Sequence, residues 1–124
     1  MNRFKEGSLN RSHGTKLISF QFNGREFEVR TSDHSLERFK ERNVDIDAAV
    51  GSIVALGKQR LDYFASQGSD VAIIDKQNKI SVIITFESED NYTQIRIVTV
   101  IPRVNIFVKD GTKIYNLVNY KGGF

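Results

Sequence analysis

Two long runs of alternating apolar residues in the second half of the chain place the strongest constraint on its fold. Residues 79–87 and residues 92–101 each place apolar side chains on one face: Ile80, Val82, Ile84 and Phe86 in the first run, and Ile95, Ile97 and Ile101 in the second. A repeat of two residues is that of a β-strand with one buried face. Turn-forming residues at 88–91 separate the runs, so the sequence predicts an antiparallel pair at the centre of a sheet.

Two glycine-containing dipeptides predict further β-hairpins towards the ends of the chain. Asn or Asp before Gly favours a short hairpin turn, because these residues tolerate positive φ angles. The predicted hairpins are residues 16–22 with 25–30 around Asn23-Gly24, and residues 104–108 with 113–117 around Asp110-Gly111. Pro102 lacks a backbone donor and is expected to end the second long strand.

Helical signals fill the region between the first hairpin and the central strands. Ser32 or Asp33 can cap a helix that ends near Asn43, because a short side-chain oxygen accepts from a free amide of the first turn. Asp45 can cap a second helix in the same way. The apolar residues of that helix recur at helical spacing: Ile46, Ala49, Val50, Ile53 and Val54. Residues 58–67 alternate as a strand would, and we interpret them as one, with a helical continuation as the alternative.

The order of these elements predicts a single α+β domain with an N-terminal β-hairpin, two helices, a twisted antiparallel meander sheet and a C-terminal hairpin. The 124 residues suffice for one core without cross-links. The domain is predicted to span residues 15–118. A flexible basic arm at residues 1–14 and a tail at residues 119–124 are expected outside it.

Composition narrows the chemistry that the chain can perform. Cysteine is absent, which excludes disulfides and thiolate catalysis. The net charge of +3 and the sequence pI of about 9.3 permit a nucleic-acid partner without demanding one. No apolar run approaches the roughly 18 residues that span a bilayer. We therefore expect a cytoplasmic protein with no membrane contact, no cofactor and no metal ion.

A stripe of one imidazole and two guanidiniums is the main candidate site. At about 100° per residue, His34, Arg38 and Arg42 fall on one side of the first predicted helix, whereas Leu36 and Phe39 fall on the other. Guanidiniums match phosphate oxygens and an imidazole moves protons near neutral pH, so the stripe could bind and cleave a phosphodiester. A solvated face is one alternative. In another, His34 packs at the helix start and the arginines pair with neighbouring carboxylates: Glu37, Glu41 or Asp45.

Residues 32–46, SDHSLERFKERNVDI, resemble the opening helix of the small RelE-like and BrnT-like toxin proteins and of the uncharacterised domains grouped near them. In those domains a line S/T-x-H-A-x-x-R-x-x-x-R-G-I-S precedes a second helix and a meander ending in I-x-V-T-V. His34, Arg38 and Arg42 carry the first motif here, and residues 95–100 are similar to the second.

The resemblance covers residues 31–101 and leaves both terminal hairpins outside. The chain departs from the pattern at Ser35, where the relatives usually carry alanine, and at Asn43, where they usually carry glycine. Neither departure removes a proposed catalytic group. The members of the group with known activity are metal-independent ribonucleases, so the resemblance implies a RelE-like fold and cleavage of RNA through the 2′-hydroxyl.

Such cleavage needs a base for the 2′-hydroxyl, positive charge on the phosphate and an acid for the leaving 5′-oxygen. We predict His34 as the base or the acid. Arg38, Arg42 and Arg96 are the predicted catalytic residues that hold the phosphate. For Arg96 the alternative is a solvated cross-strand pair with a carboxylate such as Glu87.

Three further residues are candidates for RNA binding. Arg103 follows the last long strand, where its side chain could reach a groove, although it could equally be an ordinary loop residue. Tyr63 and Tyr92 could stack on bases, with ordinary packing as the alternative. His13 could supply a second imidazole only if the N-terminal arm folds over the site.

The first hypothesis is therefore a metal-independent endoribonuclease of the RelE/BrnT-like toxin type, acting on free or ribosome-bound RNA and neutralised by an antitoxin. The second is a non-catalytic binding protein of the same fold, such as a phage or mobile-element factor that acts on a nucleic-acid-associated or host protein. A toxin domain of a contact-delivered polymorphic protein is a third alternative.

Overall fold

The computed structural model describes residues 14–22 and 24–117, which form six strands and three helices. The strands are β1 (Thr15–Phe22), β2 (Arg25–Thr31), β3 (Val71–Asp75), β4 (Ile80–Glu89), β5 (Tyr92–Ile101) and β6 (Lys113–Leu117). The helices are α1 (Asp33–Glu41), α2 (Ile46–Ala55) and α3 (Lys58–Gln67). The predicted arm at residues 1–14 lies outside the described residues except for Gly14, and the predicted tail at residues 119–124 lies wholly outside them.

All six strands join one mixed sheet in the order β1-β2-β5-β4-β3-β6. The predicted central antiparallel pair is confirmed as β4 and β5, and the N-terminal hairpin is confirmed as β1 and β2. However, β2 pairs with β5 and β3 pairs with β6 in parallel. The α+β class is thus confirmed, and β3, β4 and β5 form an antiparallel meander. The prediction of a wholly antiparallel sheet is wrong, because β2 and β6 join the meander in parallel, and their connections to β5 and from β3 are long enough to cross the sheet.

The helices cover one face of the sheet, and the main core lies between them. Val29, Ile84 and Ile97 from three adjacent strands are buried in one cluster with Phe39 of α1 and Ile53 of α2. Burial of a side chain of this size contributes roughly 1.5–3 kcal/mol to stability. The core therefore fixes where α1 lies on the sheet.

Both predicted helix caps are confirmed. The Ser32 hydroxyl accepts from the Ser35 amide at 3.0 Å, and the Asp45 carboxylate accepts from the Asp47 amide at 2.9 Å. Each cap satisfies an amide that has no partner inside its own helix. The two caps hold the start of α1 and of α2 at the positions that the sequence predicted.

Residues 58–67 form helix α3, so their interpretation as a strand is wrong and the helical alternative is correct. Leu61 is buried, and Phe64 and Ala65 pack against the core. These three residues share one side of a helix, because they are three and four positions apart. Tyr63, which supported the alternating pattern, is 57% exposed. The helical conformation is favoured because it buries three apolar side chains together.

The predicted C-terminal hairpin is also wrong, although its second strand exists. Strand β6 pairs in parallel with β3, and residues 104–108 form no strand. Their side chains still alternate, with Val104, Ile106 and Val108 half-buried and Asn105, Phe107 and Lys109 exposed. A segment that places every second side chain against the protein shows a repeat of two without joining a ladder.

The carboxyl half of β5 has an open edge, and helix α1 lies along it. Pairing of β5 with β2 ends at Ile97 opposite Thr31, whereas pairing with β4 continues to Ile101. The Ser35 hydroxyl of α1 donates to the Val98 carbonyl at 2.9 Å. Helix α1 thus covers backbone carbonyls that a neighbouring strand does not pair.

A register shift in the β4–β5 pair moves the end of β5 out of the predicted alternation. Val98 has no counterpart on β4. The sequence predicted that Ile101 shares the core face of Ile95 and Ile97, but Val100 is buried there instead and Ile101 is half-buried. One extra residue reverses the alternation beyond it. Ile101 is therefore placed to line a surface cavity.

Candidate nucleic-acid interface

Helix α1 presents the predicted imidazole and guanidiniums at the surface. Phe39 is buried and Leu36 packs against the core, so the opposite side of α1 faces outward. His34 is exposed on that side, and Arg38 and Arg42 are half-buried there. The Arg38 Nε donates to the His34 Nε2 at 3.0 Å. The structure therefore brings the three residues of the stripe together.

Arg38 and Arg42 line a surface cavity of about 460 Å³ with the end of β5 and the two residues after it. We call this cavity the basic cleft, and its lining residues are Arg38, Arg42, Thr99, Ile101, Pro102 and Arg103. Arg103, a predicted RNA-binding residue, thus reaches the same cavity from a different segment of the chain. Three guanidiniums and no carboxylate line the cleft, so its electrostatic potential favours an anion.

None of these three guanidiniums forms an ion pair within the part of the chain that the structure describes. The alternative in which they pair with neighbouring carboxylates of α1 is not the arrangement found. Arg42 is held in another way, because its Nη1 donates to the Val100 carbonyl at 2.6 Å and lies 3.5 Å from the Thr99 hydroxyl. A guanidinium has five donors, so most of those on Arg42 remain for a ligand.

The hydrogen bond between Arg38 and His34 involves the Nε2 atom of the imidazole. A guanidinium has no acceptor, so the Arg38 Nε donates and the His34 Nε2 accepts. The lone pair of Nε2 is therefore occupied by Arg38, whose side chain lines the basic cleft. An anion that draws the Arg38 side chain into the cleft would release this lone pair to act as a base.

Arg96, a predicted catalytic residue, does not lie in the basic cleft. Its neighbours Ile95 and Ile97 face the core, so Arg96 lies on the sheet face opposite the helices. The Arg96 Nη2 lies 3.2 Å from the Glu87 Oε1, which also accepts from the Gln94 Nε2 at 3.3 Å. The structure thus shows the cross-strand alternative, and a carboxylate already neutralises Arg96.

A second ion pair lies on the same face of the sheet, on β2. The Arg30 Nη1 lies 3.4 Å from the Glu28 Oε1, and Glu28 is only 3% exposed. We call the two pairs on this face, Glu28 with Arg30 and Glu87 with Arg96, the paired layer. Each arginine of the paired layer lies beside a carboxylate, in contrast to those of the basic cleft, and Glu28 also lies 3.9 Å from the Lys16 Nζ.

Neither predicted tyrosine reaches the basic cleft. Tyr92 is fully buried and its hydroxyl donates to Glu28, so the predicted stacking of a base on Tyr92 is wrong, because its ring offers no accessible face. Tyr63 is exposed but lines a separate cavity of about 500 Å³ with Lys58 and Arg60. His13 lies outside the described residues.

Three of the residues that line the cleft were not among the predicted site residues. Thr99, Ile101 and Pro102 line it beside the arginines. Pro102 was expected only to end a strand, and Ile101 was expected in the core. Their position depends on the extra residue at Val98 and on the end of the β2–β5 pairing, and neither feature has a local sequence signal.

Within residues 14–22 and 24–117, no group of three or more His, Cys, Asp or Glu side chains is placed to hold a metal ion. No helix of these residues is long and apolar enough to cross a membrane. The chain matches no protein-family model, no curated protein and no solved structure. The resemblance to RelE-like and BrnT-like proteins therefore stays a prediction, carried by the residues of α1 and β5.

Proposed function

We propose that this protein is a metal-independent endoribonuclease of the RelE/BrnT-like toxin type, which cleaves RNA through the 2′-hydroxyl at the basic cleft. One observation carries the proposal: Arg38, Arg42 and Arg103 line one cavity without a carboxylate, and the exposed His34 has its Nε2 3.0 Å from the Arg38 Nε. Like charges one helical turn apart are mildly unfavourable in isolation. A bound phosphodiester offsets that cost and fits the planar donors of a guanidinium.

The groups of the cleft have separate tasks in this reaction. The arginines hold the non-bridging oxygens and stabilise the charge that develops on the pentacoordinate phosphorus. Arg38 turns to the phosphate, which frees the His34 Nε2 to take the proton of the 2′-hydroxyl. The 2′-oxygen bonds to phosphorus while the bond to the 5′-oxygen breaks. Solvent at the open cleft supplies the proton to the leaving 5′-oxygen, and the products carry a 2′,3′-cyclic phosphate and a 5′-hydroxyl.

The proposal also names partners and a place of action. The proposed substrate is RNA, free or on the ribosome, and the proposed place of action is the cytoplasm. A neutralising antitoxin would cover the basic cleft with acidic side chains, because complementary charge gives such a complex its specificity and speed of association.

A non-catalytic binding protein of the same fold is the second candidate, and the surroundings of His34 favour it. Arg38 occupies the His34 Nε2 in this structure. His34 is also the one histidine among the described residues, whereas cleavage needs a base and an acid. A phage or mobile-element protein of this kind would use the basic cleft to hold a nucleic-acid-associated or host protein.

The test is incubation of the wild type and His34→Ala with labelled total RNA in the presence of a chelator, followed by analysis of the fragment ends. We expect wild-type fragments with 2′,3′-cyclic phosphate ends, and a rate at least about 100-fold lower in His34→Ala, because general base catalysis contributes that much or more. Lys40→Ala is the matched control, since Lys40 is an exposed cation of α1 outside the cleft lining.

Cleavage and RNA affinity measured on the same variants test the enzyme and the cleft separately. No cleavage by the wild type or His34→Ala, in the presence or absence of ribosomes, would reject the enzyme and leave the binding protein. RNA binding that survives replacement of both Arg38 and Arg42 by Ala would contradict the assignment of the cleft.

A further inference from the structure

The segment that leaves the basic cleft carries a row of exposed side chains. Arg103, Asn105, Phe107 and Lys109 are exposed. The residues between them are half-buried: Val104, Ile106 and Val108. This alternation of exposure indicates that the four exposed side chains point away from the protein on one side of the segment. We call these four residues the outward row.

Phe107 is the most unusual member of the outward row. Its side chain is fully exposed, more than any other large apolar residue in the described part of the chain. Its neighbours Ile106 and Val108 are half-buried, so the backbone beneath the ring lies against the protein. A phenyl ring kept wholly in water forgoes the free energy of burial. A ligand with a flat apolar face would recover that free energy.

The outward row begins inside the basic cleft, because Arg103 belongs to both. The Arg103 carbonyl accepts from the Ser81 hydroxyl at 2.7 Å, and the Arg103 amide donates to the Ile101 carbonyl at 2.8 Å. These bonds fix the start of the row beside the phosphate site. Phe107 follows four residues later, so its Cα lies at most about 14 Å from that of Arg103.

The chemistry of the outward row matches a single strand of nucleic acid. Cations at Arg103 and Lys109 flank the amide of Asn105 and the ring of Phe107, and the adjacent turn carries one acid, Asp110. Cations contact backbone phosphates, an amide can bond to a base edge, and an aromatic ring stacks on a base face. In a duplex the base faces are stacked inside and inaccessible to such a ring.

We infer that the outward row extends the basic cleft into a track for unpaired RNA, on which Phe107 stacks against one base. The inference rests on the proposed function and specifies its substrate as single-stranded RNA with little preference among bases, because every base has a π-face. The phosphate held by the arginines of the cleft and the base held by Phe107 then belong to one strand.

The test is fluorescence anisotropy with labelled oligouridylates of increasing length and with a duplex RNA. We expect Phe107→Ala to weaken binding of the longer oligouridylates about 5- to 150-fold and to leave the shortest oligomers and the duplex unchanged. Phe107→Tyr keeps a ring and should keep wild-type affinity. Tyr63→Ala removes an exposed aromatic at a separate cavity and should also have no effect.

A double variant, Arg38→Ala with Arg42→Ala, separates failure of the track from failure of the proposed function. If the double variant loses RNA binding while Phe107→Ala binds like the wild type, the track is refuted, the basic cleft stands, and Phe107 is left to a protein partner. A wild type that binds none of the RNAs overturns both. Equal melting temperatures of the wild type and Phe107→Ala confirm that any loss is local.

Discussion

Arginine side chains have different electrostatic surroundings in the paired layer and in the basic cleft. In the paired layer, Arg30 and Arg96 lie 3.4 and 3.2 Å from the carboxylates of Glu28 and Glu87. In the basic cleft, three guanidiniums line one cavity, and none of them pairs with a carboxylate of the described residues.

The difference separates structural cations from cations that are available to a ligand. A carboxylate held close to an arginine removes most of its attraction for an external anion. The paired layer therefore contributes to the fold, whereas the cleft keeps an unbalanced positive charge at the surface. Residue type alone does not distinguish the two, because Arg38 and Arg96 are both arginines on elements that the sequence predicts.

Removing the carboxylate of Glu28 should produce the largest effect on stability. Glu28 is buried, accepts from the Tyr92 hydroxyl and lies beside Arg30. Removing one partner of a buried pair costs about 3–5 kcal/mol, so we expect Glu28→Ala to lower the free energy of unfolding by about that amount in urea titrations. Glu41→Ala, at an exposed carboxylate of α1, should change it by less than about 0.5 kcal/mol. A loss below about 1 kcal/mol in Glu28→Ala would show that the paired layer is not structural.

Arg38 of α1 and Arg42, which caps the C-terminus of α1, should differ in their effect on stability, although both line the basic cleft. Arg42→Ala leaves the Val100 carbonyl without its 2.6 Å partner, and we expect a loss of about 1–2 kcal/mol. Arg38→Ala removes only the bond to His34 and should stay within about 0.5 kcal/mol of the wild type. Urea unfolding of both variants makes the comparison, and equal losses would contradict it.

The parts of the molecule that could be predicted from the sequence are those set by local periodicity and capping. The central pair β4 and β5 follows from its alternating residues, and both helix starts follow from Ser32 and Asp45. The stripe of His34, Arg38 and Arg42 follows from the 3.6-residue repeat of α1. Each of these features depends on residues within a few positions of one another.

The remaining features depend on contacts between distant segments. Neither the parallel pairing of β2 with β5 nor the extra residue at Val98 has a local signal. These two features place Arg103 and Ile101 in the cleft with α1. The pairing of β4 with β5 brings Glu87 beside Arg96 on the opposite face. The short sequence of α3 fits both the two-residue repeat of a strand and the repeat of a helix. Burial of Leu61 against the rest of the protein favours the helix.

The most direct test of the basic cleft is the salt dependence of single-stranded RNA binding in the wild type, Arg38→Ala and Arg96→Ala. Each lost phosphate contact on a single strand lowers the slope of log affinity against log salt by about 0.7 in magnitude. We predict that decrease in Arg38→Ala, and a wild-type slope in Arg96→Ala, whose guanidinium is balanced by Glu87. A wild-type slope in Arg38→Ala together with a reduced slope in Arg96→Ala would place RNA on the other face of the sheet and contradict the account.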